Sequence, residues 1–430
     1  MLHSFFKHLV VTILTAEAHY LVRRKKPYVI AVTGSVGKTS TKDAIYTALK
    51  DSVSVRKSEK SFNSEIGVPL TVLGLPNAWG NPFGWLRNII DGGLTALTAR
   101  QYPEVLVIEA GVDTPGDMER LTKWLQPQMV VLTRLPDVPV HVEQFRTPAA
   151  VIAEKMRLVD ALPPDGVLIY NHDDVLIQKQ LASVLPRAVS FGRYGEVDVR
   201  ITRDSIVYRD DVPVAVRCGV SVRGESAPLE LLGVAGLPAT YAAAAAIAVA
   251  TERGVPLTTA AQRLSKGMSA NGRLRILPGI KGTTIIDDTY NASPVAMEEA
   301  LATLRDIKYA KRRIAVLGDM LELGKFSASE HERIGALCAG TVDTLLTVGI
   351  RARGFASGTL AHGVPESVIR QYDDVARAGR ELQALLQPGD VVLVKGSQGM
   401  RLERVVEEVM AEPERAEELL VRQDPAWRSR

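Results

Sequence analysis

Apolar residues along this chain recur in two patterns. The first is a short, nearly unbroken run that ends at glycine or polar residues: YVIAV (28–32), VLVIEAG (105–111), MVVLTRL (129–135) and GVLIYNHDD (166–174). Runs of that length, separated by segments of helical period, read as parallel strands buried on both faces of an α/β layer. The second pattern, over 193–232, is shorter, alternating and rich in turns, and predicts a small antiparallel patch. An alanine-rich helix is expected at 239–251. Strand-like runs then return at 283–290, 312–320, 343–349 and 389–397, which predicts a second, smaller doubly wound sheet. The break falls near Ala270-Asn271-Gly272-Arg273. The expected division is an N-terminal helix (1–27), a central α/β domain (28–271), a C-terminal Rossmann-like α/β domain (272–412) and a charged, frayed tail (413–430).

The first segment allows two readings. Leu2, Phe5, Phe6, Leu9, Val10, Ile13 and Leu14 recur at helical spacing, interrupted by Lys7 and His8, over a stretch too short to span a bilayer. Arg23-Arg24-Lys25-Lys26 follow the apolar part, the reverse of a signal peptide. Either the helix packs on the next domain, or it lies at an interface and gives peripheral membrane contact through residues 1–26.

Composition narrows the classes. A chain of 430 residues exceeds one small core, so two or three domains are expected. The net charge of +3 provides no global field for nucleic acid, and no nucleic-acid partner is expected. Cys218 and Cys338 are far apart and lack metal-ligand spacing, which fits a reducing cytoplasm and argues against a disulfide framework or zinc site.

The densest chemistry lies at 28–41, YVIAVTGSVGKTST. A strand leads into a glycine-bearing turn and then into a helix, the layout of a phosphate-binding loop. Gly34 and Gly37 leave room for backbone N–H groups to close around phosphate oxygens, with Ser35 and Ser40 flanking. The helix N-terminus adds partial positive charge. Lys38 can neutralise outer phosphates, and the Thr39 hydroxyl can ligate Mg²⁺. The longer form of the motif would have glycine at Val32, so this is the shorter T-G-x-x-G-K-T variant. Glu109, ending a predicted strand beside the loop, is a hard-oxygen candidate for Mg²⁺. ATP and Mg²⁺ are the expected cofactors.

TGSVGKTST, SFNSEIGVPLTVLG (61–74), IEAGVDTPGDM (108–118), DDTYNASPVAM (287–297), LGDMLELG (317–324) and VKGSQGMRLERVV (394–406) occur in this order. Together they resemble the ATP-dependent Mur ligases of peptidoglycan synthesis, across about residues 28–410. The nearest likeness is to the member that adds D-alanyl-D-alanine to UDP-N-acetylmuramoyl-tripeptide. The resemblance implies an acyl-phosphate route to an amide, a nucleotide-sugar peptide and D-alanyl-D-alanine as small-molecule substrates, and a monomer. It also implies roles for particular residues. His141 would help bind a second Mg²⁺. Lys155 would be carbamylated, turning a cation into an anion. Arg273 would reach the γ-phosphate on domain closure. Asp288 would contact the ribose, while Tyr290 and Asn291 lie against the adenine. Asn63, Lys395, Ser397 and Arg401 would serve substrate binding. His331 matches a position that suits capping or packing as well as substrate contact.

Three departures accompany the likeness. About 27 residues precede the first strand, so the resemblance does not extend to the family's N-terminal UDP-sugar-binding domain. The family's G-x-H-N-x-x-N segment reads GLPATYA (236–242), with Pro238 for the histidine and Ala242 for the last asparagine. Arg157 stands where an acidic residue usually follows the lysine. A Mur-type ligase with another donor or acceptor, including one of cyanophycin or folylpolyglutamate type, is a second reading. A non-catalytic nucleotide-binding assembly factor is a third.

Overall fold

The computed structural model describes residues 2–59, 62–181, 187–267 and 271–428; Met1, Ser61 and Ala270 of the expectations above lie outside them. The four apolar runs become strands β1 (Tyr28–Thr33), β3 (Val105–Glu109), β4 (Met129–Leu132) and β5 (Val167–Asn171), and two strands that the sequence pattern did not announce, β2 (Val55–Lys57) and β6 (Ala188–Gly192), join them. They pair in parallel in the order β2-β3-β1-β4-β5-β6. The alternating segment forms β7 (Val199–Arg209), β8 (Val212–Val222) and β9 (Glu225–Leu232), antiparallel among themselves. It is not a separate patch: β7 pairs in parallel with β6, so one sheet of nine strands runs through. The alanine-rich helix Leu237–Glu252 is buried along its length against this sheet and helix α2 (Lys38–Leu49).

A second sheet has six strands in the order β10-β11-β15-β12-β13-β14. These are β10 (Arg275–Gly279), β11 (Thr283–Asp288), β12 (Arg313–Gly318), β13 (Thr344–Val348), β14 (Ile369–Tyr372) and β15 (Val391–Lys395). All neighbours are parallel except the β10–β11 hairpin. Pattern reading found the four buried strands and missed the two edges. β14 carries the polar pair Arg370-Gln371, and β10 contains a proline, which an edge tolerates.

Helix α1 (Leu2–Lys25) packs on α3 (Gly67–Leu73) and α4 (Pro82–Thr98). Its inward face is Val10, Leu14, Ala18 and Leu21, all buried, while Phe6 and Leu9 near its start are exposed. Among the described residues no helix is long and apolar enough to cross a membrane.

The tail corrects another expectation. Rather than fraying, it returns to the second sheet. Ala416, Leu419 and Leu420 are buried in its core. Arg422 forms an ion pair with the buried Glu403 at 2.7 Å and donates to the Thr289 and Tyr290 carbonyls. Asn271 Nδ2 donates to Glu418 O and Leu420 O. The composition that suggested a solvated tail supplies a cation for the second carboxylate oxygen of the buried Glu403.

Candidate functional site

Parallel strands direct their C-terminal ends to one edge, where open α/β sheets bind ligands. Here the ends of β1, β3, β11 and β15 converge on a cavity of about 670 Å³ between the two sheets. Its walls include Ser35, Gly37, Lys38, Thr39 and Ser40 from the loop after β1. Asn63, Glu109 and His141 join them from the same half, and Arg273, Asp288, Tyr290, Asn291, Lys395 and Ser397 from the other.

The loop conformation follows from its glycines. Gly34 has φ +137, and a Cβ there would sit 2.1 Å from Thr133 Oγ1. That close approach lets Ser35 N donate to Arg134 O and Thr133 Oγ1 donate to Val36 O. Gly34 therefore seats the loop from behind rather than facing the cavity. Gly37, at φ +84, caps α2 in the left-handed region. The first N–H groups of a helix lack intrahelical acceptors, so α2 offers donors to an anion at its start.

Glu109 is 1 % exposed and held by several neighbours. Oε1 accepts from Thr39 Oγ1 (3.2 Å) and Asn63 Nδ2 (3.4 Å), and the Glu109 N–H donates to Ser58 Oγ. Oε2 is buried without a hydrogen-bond partner, with the Lys42 ammonium 3.9 Å away. Lys42 in turn donates to Ser58 O at 2.8 Å. Lys42 and Ser58 were not singled out from the sequence; the signal was Lys42 lying one helical turn beyond Lys38.

Arg273 already reaches the loop: Nη2 donates to Thr39 Oγ1 at 2.8 Å, and its guanidinium lies 3.8 Å from the Tyr290 ring centre. Its Nε is buried with no hydrogen-bond partner among the described residues. Thr39, Glu109 and Arg273 thus form one chain of contacts across the two halves. Arg134 and Glu299 form a further ion pair between them.

Two lysines on this side are held without a counter-ion. Neither Lys38 nor Lys155 makes a hydrogen bond or ion pair with the described residues. Burial lowers the Lys38 pKa, with Arg273 adding to the effect and Glu109 opposing it. Lys155 is 2 % exposed on helix Pro148–Asp160, and burial, reinforced by the Lys38 charge, takes its pKa well below the usual lysine range. It lies behind the cavity wall rather than in it. Arg157, the departure noted above, points away to Glu119 (2.8 Å) and Glu154 (3.4 Å).

His141, at φ +68, bridges the halves. Nδ1 lies 2.8 Å from Glu322 Oε2, and Nε2 lies 3.7 Å from Asp113 Oδ1. The bond from His141 holds the Glu322 carboxyl below its ordinary pKa. Glu322 and Asp113 are further cavity residues that sequence reasoning passed over, although both lie in the quoted segments LGDMLELG and IEAGVDTPGDM.

On the C-terminal side the charges are paired. Lys395 Nζ lies 2.6 Å from Asp288 Oδ2 and donates to Asn291 O. Burial raises the Asp288 pKa and lowers that of Lys395, each offset by the other. Leu274 N donates to Asp288 Oδ1, and Leu321 N to Ser397 Oγ. Arg401 is placed elsewhere: it is absent from the cavity wall, pairing with Glu403 at 2.5 Å and donating to Trp427 O. His331 is fully buried; Nε2 accepts from Met320 N and Nδ1 lies 2.7 Å from Ser327 O, so it packs and braces the LGDMLELG segment. Pro238 starts the alanine-rich helix and, with Ala239, gives the cavity an apolar wall. A second cavity of about 1280 Å³ meets the first at Val36, Gly37, Pro238 and Glu299. Tyr241 lines it and donates to Asp173 at 2.6 Å.

The residues present suit Mg²⁺. A magnesium ion takes one or two carboxylates plus phosphate oxygens and waters rather than a dense protein cage. The Thr39 hydroxyl and the orphaned Glu109 Oε2 match that donor set. Among the described residues there is no cluster of three His, Cys, Asp or Glu side chains arranged to hold a metal ion.

Comparison with known proteins agrees with this geometry. Residues 32–83 and 86–250 match the Mur ligase middle domain, and residues 272–398 match the Mur ligase glutamate ligase domain. The UDP-N-acetylmuramoyl-tripeptide--D-alanyl-D-alanine ligase of Bacillus subtilis is 28% identical over 389 residues, 90% of this chain and 76% of that protein. The enzyme of the same name from Mycobacterium tuberculosis H37Rv is 29% identical over 405 residues, 89% of this chain and 73% of that one. Among solved structures, MurF ligase from Thermotoga maritima in complex with ADP superposes with a TM-score of 0.75 at 25% identity, covering 93% of this chain and 83% of that one. MurF from Acinetobacter baumannii gives 0.75 at 25% identity, covering 91% and 79%. The chain therefore belongs to the Mur ligase family.

Proposed function

We propose that this chain is an ATP-dependent amide ligase that joins D-alanyl-D-alanine to UDP-N-acetylmuramoyl-tripeptide, as its relatives' names describe. The observation that carries this reading is the Lys38–Thr39–Glu109–Arg273 constellation, set within a chain about nine-tenths of which aligns with those ligases. A carboxylate becomes an acylating agent when one of its oxygens attacks the γ-phosphorus and the bond to the ADP oxygen breaks. The amine of D-alanyl-D-alanine then attacks the acyl carbon, loses a proton, and phosphate leaves.

This chain's residues act on charge and position. Lys38 and the start of α2 hold the outer phosphates. Arg273 stabilises charge on the transferred group when the two halves are together, a role supported by its bond to Thr39 across them. Thr39 and Glu109 would hold Mg²⁺, which supplies Lewis-acid neutralisation of the phosphate oxygens. Lys155 is buried and its amine is pushed toward the neutral form, the form that adds CO₂ to give a carbamate. Asp288, Tyr290 and Asn291 form the nucleoside side, and Asn63, Lys395 and Ser397 the substrate side.

The test is phosphate release from ATP with UDP-N-acetylmuramoyl-tripeptide and D-alanyl-D-alanine each omitted in turn, with product mass read alongside. Release that needs both, with a pentapeptide product, is expected. Release that needs neither would remove the ligase reading. Release with another amine alone would reassign the acceptor.

A further inference from the structure

Helix α4 is apolar on two faces. Trp85, Asn88, Gly92 and Ala96 turn inward. Phe83, Leu86, Ile90, Leu94 and Leu97 turn outward and are 83, 56, 55, 54 and 64 % exposed. Their spacing of three or four residues puts them in one row along a helix about 25 Å long. Large apolar side chains scattered singly on a surface need no explanation, whereas a continuous row marks an interaction surface.

One end of this row is basic. Helix α1 runs alongside α4 with the two C-termini together: Arg24 Nη1 donates to Ala96 O (2.8 Å) and Leu97 O (2.6 Å), and Lys25 Nζ to Arg100 O (2.9 Å). Arg23, Arg24, Lys26 and Arg100 are exposed there. Asp91, the one acid of α4, is paired with Arg87. A helix with an apolar face and flanking cations fits a bilayer surface that carries negative headgroups. A second copy fits less well: laid antiparallel, it would set the basic end against Asn81-Pro82-Phe83-Gly84, which has no acid.

We propose that the outer face of α4, with the basic end it shares with α1, seats this protein on an anionic lipid surface. The apolar row enters the boundary between headgroups and acyl chains, while Arg23, Arg24, Lys26 and Arg100 meet lipid phosphates. Membrane contact expected of the N-terminal segment alone is thereby moved. α1 buries Val10, Leu14, Ala18 and Leu21 inside the fold and supplies the cations, and α4 supplies the continuous apolar row.

The experiment is flotation of the full chain with phosphatidylcholine vesicles, with and without phosphatidylglycerol, at low and high salt. The chain is expected to float with phosphatidylglycerol vesicles and to be released by salt. The triple variant Leu86→Gln/Ile90→Gln/Leu94→Gln should lower partitioning by about tenfold or more. Arg23→Gln/Lys26→Gln should lower it about ten- to thirtyfold on anionic vesicles only. Circular dichroism and ATP binding, unchanged in both variants, would show that each is folded. Absence of flotation with anionic vesicles at low salt would overturn the proposal, as would equal flotation of the triple variant. A concentration-dependent dimer, abolished by the triple variant, would assign the row to a second copy instead.

Discussion

The two walls of the cavity handle charge in opposite ways. On the phosphate-loop wall, the half-buried Lys38 and, behind it, the buried Lys155 have no ion-pair partner among the described residues, and Glu109 Oε2 lacks a hydrogen bond. On the C-terminal wall, Lys395 is matched to Asp288, and outside the cavity Glu403 is matched to Arg401 and Arg422. Unmatched buried charge costs stability unless a ligand neutralises it. The first wall therefore carries charge that an anion and a metal would complete under the proposed function, and the second carries charge that is already paired.

If that contrast is right, substitutions on the first wall should damage turnover more than folding. Lys38→Ala is expected to lower ligation by about a thousandfold while thermal stability holds or rises, since a half-buried cation without an ion-pair partner is removed. Phosphate release and a melting curve on the same sample check both halves of this statement. Arg273→Ala should come next, lowering kcat by about a hundredfold. It should also raise KM for ATP, because the Tyr290 ring loses its stacked guanidinium. An unchanged KM would mean that the stack has no part in holding the nucleoside.

The second wall should answer in stability. Asp288→Asn leaves the Lys395 ammonium buried opposite an amide, and a loss of about 3 kcal/mol in urea unfolding is expected. The smallest effect is one of pH. Burial raises the Asp287 pKa to about 6, above its unfolded value, despite two bonds from Thr289. The folded state then holds a proton that the unfolded chain has released, so this contribution is present below about pH 4 and is lost as pH rises through about 6. Asp287→Asn should flatten that part of the stability profile. A slope that survives the substitution would place its origin in another group.

Much of the phosphate wall was legible because its chemistry is local. TGSVGKTST carries strand, glycines, lysine and helix start in one stretch, and Glu109 ends a visible strand run. The alternating 193–232 segment announced its hairpins, but its fusion to the parallel sheet depends on β6 meeting β7, a pairing that no periodicity encodes. Edge strands β10 and β14 were missed because a half-covered strand need not be apolar. Lys42, Asp113 and Glu322 matter through neighbours distant in sequence. Arg422 lies in a segment whose composition suggested solvent, and its burial follows from Glu403, nineteen residues earlier. Arg401 sat within a quoted motif, yet the same Glu403 holds it away from the cavity.

The most direct test of an acyl-phosphate ligase is isotope transfer. UDP-N-acetylmuramoyl-tripeptide labelled with ¹⁸O in its terminal carboxylate is incubated with the protein, ATP, Mg²⁺ and D-alanyl-D-alanine, and the released phosphate is analysed by mass. Transfer of one label atom to each phosphate, in step with pentapeptide formation, is the predicted result. Unlabelled phosphate accompanying the same product would show that the carboxylate never attacked phosphorus, and would contradict the mechanism drawn from this site.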